Sequence, residues 1–450
     1  MTPATATHFD TPARPMPPAP PATLQETGLH PDTLSQLMLK TLVAGECSGT
    51  QLSEKLRLPY SVLDALIQHA RVEKLIEVRG TSGVGNAGYR FALTDLGRDR
   101  AGQFLDQSRY VGPAPVSLAQ YNAYTRACMA ARPYVNKETL ATGFENLIVS
   151  KGMFDQLGPA VNSGKSLFLY GAPGNGKTVV AEGIGRALGE TMHIPHAVDV
   201  DGQTITMFDP VNHTLGTQAE GGLQSVITNA VFDRRWETIR RPVVVVGGEL
   251  TLEMLDLTFN PIARFYEAPI QMKANGGVFV VDDFGRQRIP PRDLLNRWIV
   301  PLESRVDFLT LHTGRKFEIP FNVLIIFATN LKPESLADEA FLRRIPYKIL
   351  AKNPTMDEYC RIFELNCRKR GLTFDPVMVE YLHRKYYQPR KLQMRACHPR
   401  DLLEQVVDLC RYRGDTPTIT RELLDAACGS YFLEESSSQG NEKLPVPEKP

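Results

Sequence analysis

Residues 171–178 combine the side chains and the backbone flexibility needed to hold a phosphate group. The segment reads Gly-Ala-Pro-Gly-Asn-Gly-Lys-Thr and matches the pattern GxxxxGK[ST] at every fixed position. Glycines let the backbone curl so that its N–H groups point at phosphate oxygens. Lys177 would neutralise phosphate charge, and Thr178 would offer a hydroxyl to Mg²⁺. The alternative is a glycine-rich turn that matches by chance. The residues expected to contact the nucleotide phosphates are Gly171, Ala172, Pro173, Gly174, Asn175, Gly176, Lys177, Thr178 and Val179.

A second group with chemical potential is a pair of acids about 100 residues further on. Residues 278–281 are apolar and are followed directly by Asp282 and Asp283. The carboxyl ends of parallel strands are where α/β proteins place their ligands. Asp282 is expected to hold Mg²⁺ through a water molecule, and Asp283 to polarise an attacking water. The alternative is that both acids cap the turn that follows them.

The elements that must position these residues have an α/β pattern. Apolar strands separated by helices predict a parallel sheet that is covered on both faces. After about residue 354 the strands give way to helices, the first of them opened by a capping box of Thr355 and Glu358. The fold class is therefore α/β, a P-loop NTPase parallel sheet with helices on both faces and a C-terminal helical lid. The predicted strands are residues 166–170, 243–246, 278–281 and 323–328.

The region before the sheet is predicted to be a small separate domain. Its order is three helices, a strand, a glycine loop at residues 80–88, a second strand and a helix, which resembles a winged helix-turn-helix domain. The two ends of the chain are rich in Pro, Ser, Thr or Glu and lack apolar periodicity. The predicted regions are a disordered tail at 1–27, the winged-helix-like domain at 28–108, a connector at 109–141, the ATPase core at 142–353, the lid at 354–433 and a disordered tail at 434–450.

Taken together, the motifs from about residue 145 to 433 resemble those of AAA+ ATPases. Asn330 ends a strand as in the family's sensor 1 and would orient the attacking water. Of two neighbouring arginines, Arg344 is the first choice and Arg343 the second for the finger that reaches the γ-phosphate of an adjacent subunit. Arg400 opens a lid helix as in sensor 2 and would contact the γ-phosphate from the lid. The resemblance implies that the chain binds ATP and Mg²⁺, hydrolyses ATP and assembles into a homo-oligomeric ring, with six subunits as one candidate number.

Two features refine this resemblance. Most AAA+ proteins carry Glu at the position of Asp283, and a displacement of ~1 Å can lower a rate about 100-fold. Residues 305–320 are predicted to form a hairpin, and residues 241–260 could form a second one. Hairpins at these places resemble those of the helix-2-insert group, which includes MoxR-like ATPases. The alternative for the second segment is that residues 243–246 are a strand of the main sheet.

The composition excludes several classes of protein. With a formal net charge of +1 and 22% charged residues, the chain lacks the strongly basic balance of many nucleic-acid binders. No apolar run approaches the ~18–20 residues of a membrane span, and the N-terminus lacks the apolar segment of a signal peptide. The seven cysteines have no CxxC spacing, which fits reduced thiols in the cytoplasm. A structural zinc site is the alternative use for them.

Three functions remain open from the sequence. The first is an ATP-driven remodeller, chaperone-like, that acts on an unidentified protein client. The second is a nucleic-acid-associated ATPase or regulator that uses the winged helix, which its mixed charge disfavours. The third is a nucleotide switch that binds ATP and scarcely turns it over, and Asp283 is the reason for considering it.

Overall fold

The N-terminal part of the chain folds around a small antiparallel sheet. The computed structural model describes residues 15–81, 85–189, 191–216 and 232–432. The strands are ordered β1–β3–β2, and the order of the other helices and strands agrees with the prediction, whereas the short strand β1 was not predicted. Its elements are α1 (Pro31–Leu42), β1 (Cys47–Ser48), α2 (Gly49–Leu56), α3 (Tyr60–Val72), β2 (Ile76–Thr81), β3 (Tyr89–Leu93) and α4 (Asp95–Gln107).

The segments on either side of this region are more ordered than expected. Within the predicted tail at 1–27, the Pro18 carbonyl accepts a hydrogen bond from the Asp233 amide at 2.8 Å, and Thr27 is fully buried. Residues 1–14 of that tail, and the tail predicted at 434–450, lie outside the described residues. The expected connector at 109–141 contains secondary structure. Its elements are β4 (Val116–Ser117), α5 (Leu118–Ala130) and α6 (Lys137–Thr142).

A fully buried arginine joins these segments to the α/β core. Arg235 forms an ion pair with both carboxylate oxygens of Asp233, with N–O distances of 2.7 to 3.1 Å. Its Nη1 atom also donates to the carbonyl oxygens of Thr27 and Pro115, each at 2.9 Å. The predicted N-terminal domain and most of the core accordingly belong to one compact unit, which runs to Leu350.

The centre of this unit is a parallel sheet of order β10–β13–β16–β5–β17. Trp298 packs on Phe279 and Phe327 on one face, and the helix that follows β5 covers the other. This is the P-loop NTPase type of α/β fold that the sequence predicted. The elements from α7 to β17 are α7 (Lys151–Ser163), β5 (Leu167–Tyr170), α8 (Lys177–Ala187), β6 (Thr191–Pro195), β7 (Ala197–Val200), β8 (Gln203–Thr206), β9 (Trp236–Arg240), β10 (Val243–Val246), β11 (Thr258–Asn260), β12 (Phe265–Glu267), α9 (Ile270–Lys273), β13 (Val278–Val281), α10 (Pro291–Arg297), α11 (Ile299–Ser304), β14 (Val306–Thr310), β15 (Lys316–Pro320), β16 (Leu324–Thr329), α12 (Glu339–Arg344) and β17 (Tyr347–Leu350).

The structure decides between the two interpretations of the predicted hairpins. β14 and β15 pair antiparallel, so the hairpin at 305–320 is confirmed. β10 pairs parallel with β13, so residues 241–260 do not form a second hairpin and the main-sheet alternative is correct. β10 is the edge strand of this sheet, and its alternate residues Val244 and Val246 are buried while Val245 is 40% exposed. A second sheet of order β11–β12–β8–β7–β4 was not predicted.

The C-terminal helices form a second compact unit with its own core. The capping box is confirmed, because the Thr355 hydroxyl accepts from the Glu358 amide and the Glu358 carboxylate accepts from the Thr355 amide. Residues 146–150 and 172–176 cluster with this unit. Its helices are α13 (Met356–Lys369), α14 (Pro376–Leu382), a π-helical turn (His383–Tyr387), α15 (His398–Arg413) and α16 (Arg421–Tyr431).

A candidate nucleotide-binding site

Sheet order brings the predicted site residues to one edge. The phosphate loop follows β5, Asp282 follows β13 and Asn330 follows β16. Because β16 lies between β13 and β5 and all three strands are parallel, their carboxyl ends meet at the same edge of the sheet. Three segments that are far apart in the sequence therefore supply neighbouring side chains.

Thr178 and Asp282 form an oxygen-rich pair at this edge. The Thr178 hydroxyl donates to Asp282 Oδ2 at 2.7 Å. The other carboxylate oxygen, Oδ1, accepts from the Asp283 amide at 2.9 Å, and Gln287 Nε2 donates to the Asp282 carbonyl at 2.8 Å. A hydroxyl beside an oriented carboxylate fits Mg²⁺, which prefers oxygen ligands and retains several waters. These two residues therefore suit the metal of a nucleotide complex.

Lys177 is buried, and its ammonium group contacts both Asn330 and the start of the phosphate loop. Its ammonium group donates to Asn330 Oδ1 at 2.6 Å and to the Gly171 carbonyl at 3.1 Å. The side chain is only 7% exposed. On the other side of the same amide, Asn330 Nδ2 donates to Asp283 Oδ1 at 3.1 Å. A continuous hydrogen-bonded chain thus runs from the lysine through Asn330 to the second acid.

Asp283 has a backbone conformation that is uncommon for a residue with a side chain. Its φ angle is 48°, in the left-handed region, which Asp and Asn enter more readily than most residues. The next turn is fixed to β16, because the Phe284 amide donates to the Ala328 carbonyl and the Thr329 hydroxyl donates to the Phe284 carbonyl. The exposed Asp283 carboxylate is thereby turned back towards Asn330.

The tip of the phosphate loop makes its contacts within the C-terminal unit. The Gly174 carbonyl accepts from the Cys397 amide at 2.8 Å. Asn175 Nδ2 donates to Asn353 Oδ1 at 2.8 Å and to the Ala351 carbonyl at 3.3 Å. The Ala396 amide donates to Asn175 Oδ1 at 3.3 Å. Sequence reasoning assigned Asn175 only to phosphate contact, and no motif signals its second role, because the position is variable in the pattern.

Glycine is required at position 174 for two separate reasons. Its φ angle is 81°, in the left-handed region, and a β-carbon there would overlap Cys397 Sγ. The same β-carbon would lie 3.7 Å from Arg395 Cδ. Arg395 is therefore a cationic residue beside the loop that sequence analysis missed. Three residues before His398, it falls outside the segment that resembled sensor 2.

The three arginines predicted to act on the γ-phosphate have different surroundings. Arg344 pairs with Glu303, with 2.6 Å between Nε and Oε1, and lies over the Phe341 ring. Arg343 is exposed, and its side chain has no hydrogen bond or ion pair to any part of the chain that the structure describes. In the C-terminal unit, Arg400 is exposed and pairs with Asp401 at 2.8 Å. Of the two finger candidates, Arg343 is the one available to a neighbouring molecule.

His398, at the start of α15, is a buried neutral residue. Burial and the nearby Arg395 lower the pKa of the His398 imidazole to about 4. Its Nδ1 atom accepts a hydrogen bond from the Arg395 amide at 3.4 Å and lies 2.9 Å from the Tyr387 hydroxyl. The ring therefore organises the segment that contacts the phosphate loop without adding charge to it.

Comparison with known proteins gives one family match and several distant structural similarities. Residues 355–430 match a protein family described as a domain of unknown function, DUF8689. No curated protein matches the sequence. Solved structures similar to this chain include NtrX from Brucella abortus, at 16% identity and a TM-score of 0.40, covering 70% of this chain. This chain spans 62% of the NtrX chain. The RuvB Holliday junction branch migration motor of Thermotoga maritima matches at 14% identity and a TM-score of 0.33, covering 66% of this chain and 72% of that one.

Two further properties of the described residues concern membranes and metal ions. None of its helices combines the length and apolar character that crossing a membrane requires. No three His, Cys, Asp or Glu side chains in the described ranges are grouped so that they could hold a metal ion, and the seven cysteines are free thiols. Thr178 and Asp282, which a water-mediated Mg²⁺ site needs, are not a group of that kind.

Proposed function

We propose that this chain is an AAA+-type ATPase that binds ATP–Mg²⁺ at residues 171–178 and hydrolyses the γ-phosphate bond. Lys177 and the loop amides would neutralise the phosphates, and Val179 would follow them on the first turn of α8. Thr178 and Asp282 would hold Mg²⁺. Asp283 would accept the proton of the attacking water, and Asn330 would orient that water.

The observation that carries this proposal is the hydrogen-bonded chain Lys177–Asn330–Asp283 beside the Thr178–Asp282 pair. A phosphate loop alone is compatible with binding only. Hydrolysis also requires a group that can act on water near the phosphate, and here a carboxylate lies one side chain away from the phosphate-binding lysine. Adjacent residues would therefore bind Mg²⁺, bind the phosphate and act on the attacking water.

We further propose that the active form is a homo-oligomeric ring that remodels a protein client. Arg343 is exposed and unpaired within the described residues, as expected for a group that completes a neighbouring subunit's site. Arg344 would first have to leave Glu303. The β14–β15 hairpin exposes half of Phe308, an apolar residue of the kind that contacts an unfolded segment.

Nucleic-acid binding by the N-terminal region is the second candidate. Two arginines that could form its basic surface are already engaged, because Arg79 pairs with Glu77 at 2.8 Å and Arg90 pairs with Glu46. Paired guanidinium groups contribute less to phosphate binding than free ones. This pairing favours a protein as the partner.

The experiment is steady-state ATP hydrolysis by the full chain over a series of protein concentrations. Lys177→Ala should lose nucleotide binding and hydrolysis, whereas Lys165→Ala, an exposed lysine before β5, should keep both. Activity per subunit that rises with concentration would support an assembled ring. Tight ATP binding without multiple turnover would instead favour the nucleotide switch, and activity that survives Lys177→Ala would contradict the site.

A further inference from the structure

The hydrogen-bond donors of the Asn175 side chain are all used within the C-terminal unit. The residue is only 8% exposed, although it lies at the tip of a loop. Its Nδ2 atom donates to Asn353 Oδ1 at 2.8 Å and to the Ala351 carbonyl at 3.3 Å, and its Oδ1 atom accepts from the Ala396 amide at 3.3 Å. A primary amide has two N–H groups. Both are engaged, so the side chain has no donor left for a phosphate.

The phosphate loop needs support from outside itself, because its own sequence specifies its shape poorly. Gly174 and Gly176 both lie in the left-handed region, with φ angles of 81° and 73°. Glycine loses more conformational freedom on ordering than any other residue. The loop N–H groups can converge on a phosphate only in one curled arrangement. Asn175 lies between these two glycines, so fixing its side chain restrains the backbone on both sides.

Two separate segments of the C-terminal unit hold the loop tip. The segment at 351–353 accepts from both N–H groups of Asn175. The segment at 396–397 donates instead, and its Cys397 amide binds the Gly174 carbonyl at 2.8 Å. The side chain between the two segments must therefore donate twice and accept once. Asn does so, whereas Asp offers no donor and Ser or Thr offers one.

We propose that Asn175 is a positioning residue, which holds the phosphate loop in its phosphate-binding shape by joining it to residues 351–353 and 396–397. The nucleotide affinity of the loop then depends on residues outside the sequence motif, above all on Asn353. This inference rests on the proposed nucleotide binding. It adds to it a means by which the C-terminal unit sets the affinity of the loop.

The test is the dissociation constant of a fluorescent ATP analogue for the full chain with Asn353→Leu. This change keeps the size of the side chain and removes the acceptor 2.8 Å from Asn175 Nδ2, while the phosphate motif stays intact. Binding should weaken about tenfold, whereas Asn353→Asp, which keeps the acceptor oxygen, should bind within about twofold of wild type. The matched control is Asn366→Ala, at an amide that bonds to Ile362 and Arg370, and its affinity should not change.

Steady-state kinetics separate positioning from a general loss of structure. In Asn353→Leu, KM for ATP should rise while kcat at saturating ATP stays near the wild-type value, because Asp283 and Asn330 are unchanged. A partly unfolded protein would instead lose kcat and keep its KM. Asn175→Ala should weaken binding at least as much as Asn353→Leu. Combining the two changes should add little, because both remove the same hydrogen bond.

The outcomes distinguish this inference from the proposed function. Wild-type affinity in both Asn353→Leu and Asn175→Ala would overturn the positioning role and leave the ATP site standing. Equal losses in Asn353→Leu and Asn353→Asp, or fully additive losses in the double variant, would also overturn it, because the shared hydrogen bond would not be the cause. A wild-type chain that binds no ATP would overturn the proposed function, and this inference with it.

Discussion

Asn330 Nδ2 donates a hydrogen bond to Asp283 Oδ1 at 3.1 Å, while the oxygen of the same amide accepts from Lys177 at 2.6 Å. An amide has one acceptor and one donor end, so its orientation is set by having a cation on one side and a carboxylate on the other. A phosphate bound at Lys177 would compete with the Asn330 oxygen for the ammonium group. Phosphate binding at Lys177 would therefore act on Asp283 through the hydrogen bonds of Asn330.

Replacing Asn330 by alanine should lower the hydrolysis rate by about 100-fold, because Asp283 and the attacking water lose the group that orients them. ATP affinity should change little, since Lys177 and the loop amides remain. Binding can be followed with a fluorescent ATP analogue and turnover by phosphate release. An equal loss in binding and turnover would show that Asn330 supports the lysine only.

Asp283→Asn should abolish turnover, by about 1,000-fold or more, while ATP binding and the fold are retained. The substitution keeps the size of the side chain, and Asn tolerates the left-handed conformation that Asp283 adopts. Circular dichroism and ATP affinity are the controls. Wild-type turnover in this variant would mean that another residue accepts the proton.

Arg343→Ala should keep ATP binding and lose hydrolysis if this arginine reaches into a neighbouring subunit. Mixing this variant with Asp283→Asn protein should restore part of the activity, because some interfaces then combine an intact acid with an intact arginine. Arg344→Ala is the matched variant one residue away. If activity is recovered only when Arg344→Ala is mixed with Asp283→Asn, the finger is Arg344, which the sequence favoured.

The sequence predicted the parts of the fold whose pattern is set locally. Strands such as Val278–Val281 were apolar throughout, and the phosphate loop had every fixed residue of its motif. The second sheet was missed because each of its strands has four residues or fewer. Some of the paired strands are also far apart in the sequence, as β4 and β7 are. Such pairings depend on contacts that no short window of sequence contains.

Prediction of the candidate site from the sequence was limited in the same way. Residues that belong to a spaced motif, including Lys177 and Asp282, were found, whereas Arg395 was not. Its proximity to Gly174 results from how the chain enters α15. The choice between Arg343 and Arg344 as the finger was also uncertain from sequence. These neighbouring positions on α12 differ in which one faces Glu303, and a sequence does not show that.

His398 should make the protein less stable in acid. Its pKa of about 4 lies below the ordinary value of 6.5, so the unfolded chain protonates first as the pH falls. The stabilisation is complete above pH 6.5 and is lost as the pH falls towards 4, by on the order of 2 kcal/mol. His398→Asn, which keeps an acceptor, should flatten the fall in thermal midpoint over this range. His69→Asn, at an exposed histidine, should not.

Arg235→Met should lower the free energy of unfolding by about 3–5 kcal/mol, because Asp233 is left as a buried charge without its partner. Removing both charges, as Arg235→Met with Asp233→Leu, should be less damaging than the single change. Urea unfolding of the three proteins measures this difference. A single variant as stable as wild type would mean that the pair adds no net stability.

The Arg235 contacts also bear on how this protein can have been put together. Two of the carbonyl groups that satisfy the buried guanidinium, those of Thr27 and Pro115, belong to segments that precede the phosphate loop by more than fifty residues. A gene that began near residue 142 would encode a core with that guanidinium deprived of both acceptors. The N-terminal region is thus not an independent, exchangeable domain, and recombination that separated it from the α/β core would have to rebuild the interior around Arg235 at the same time.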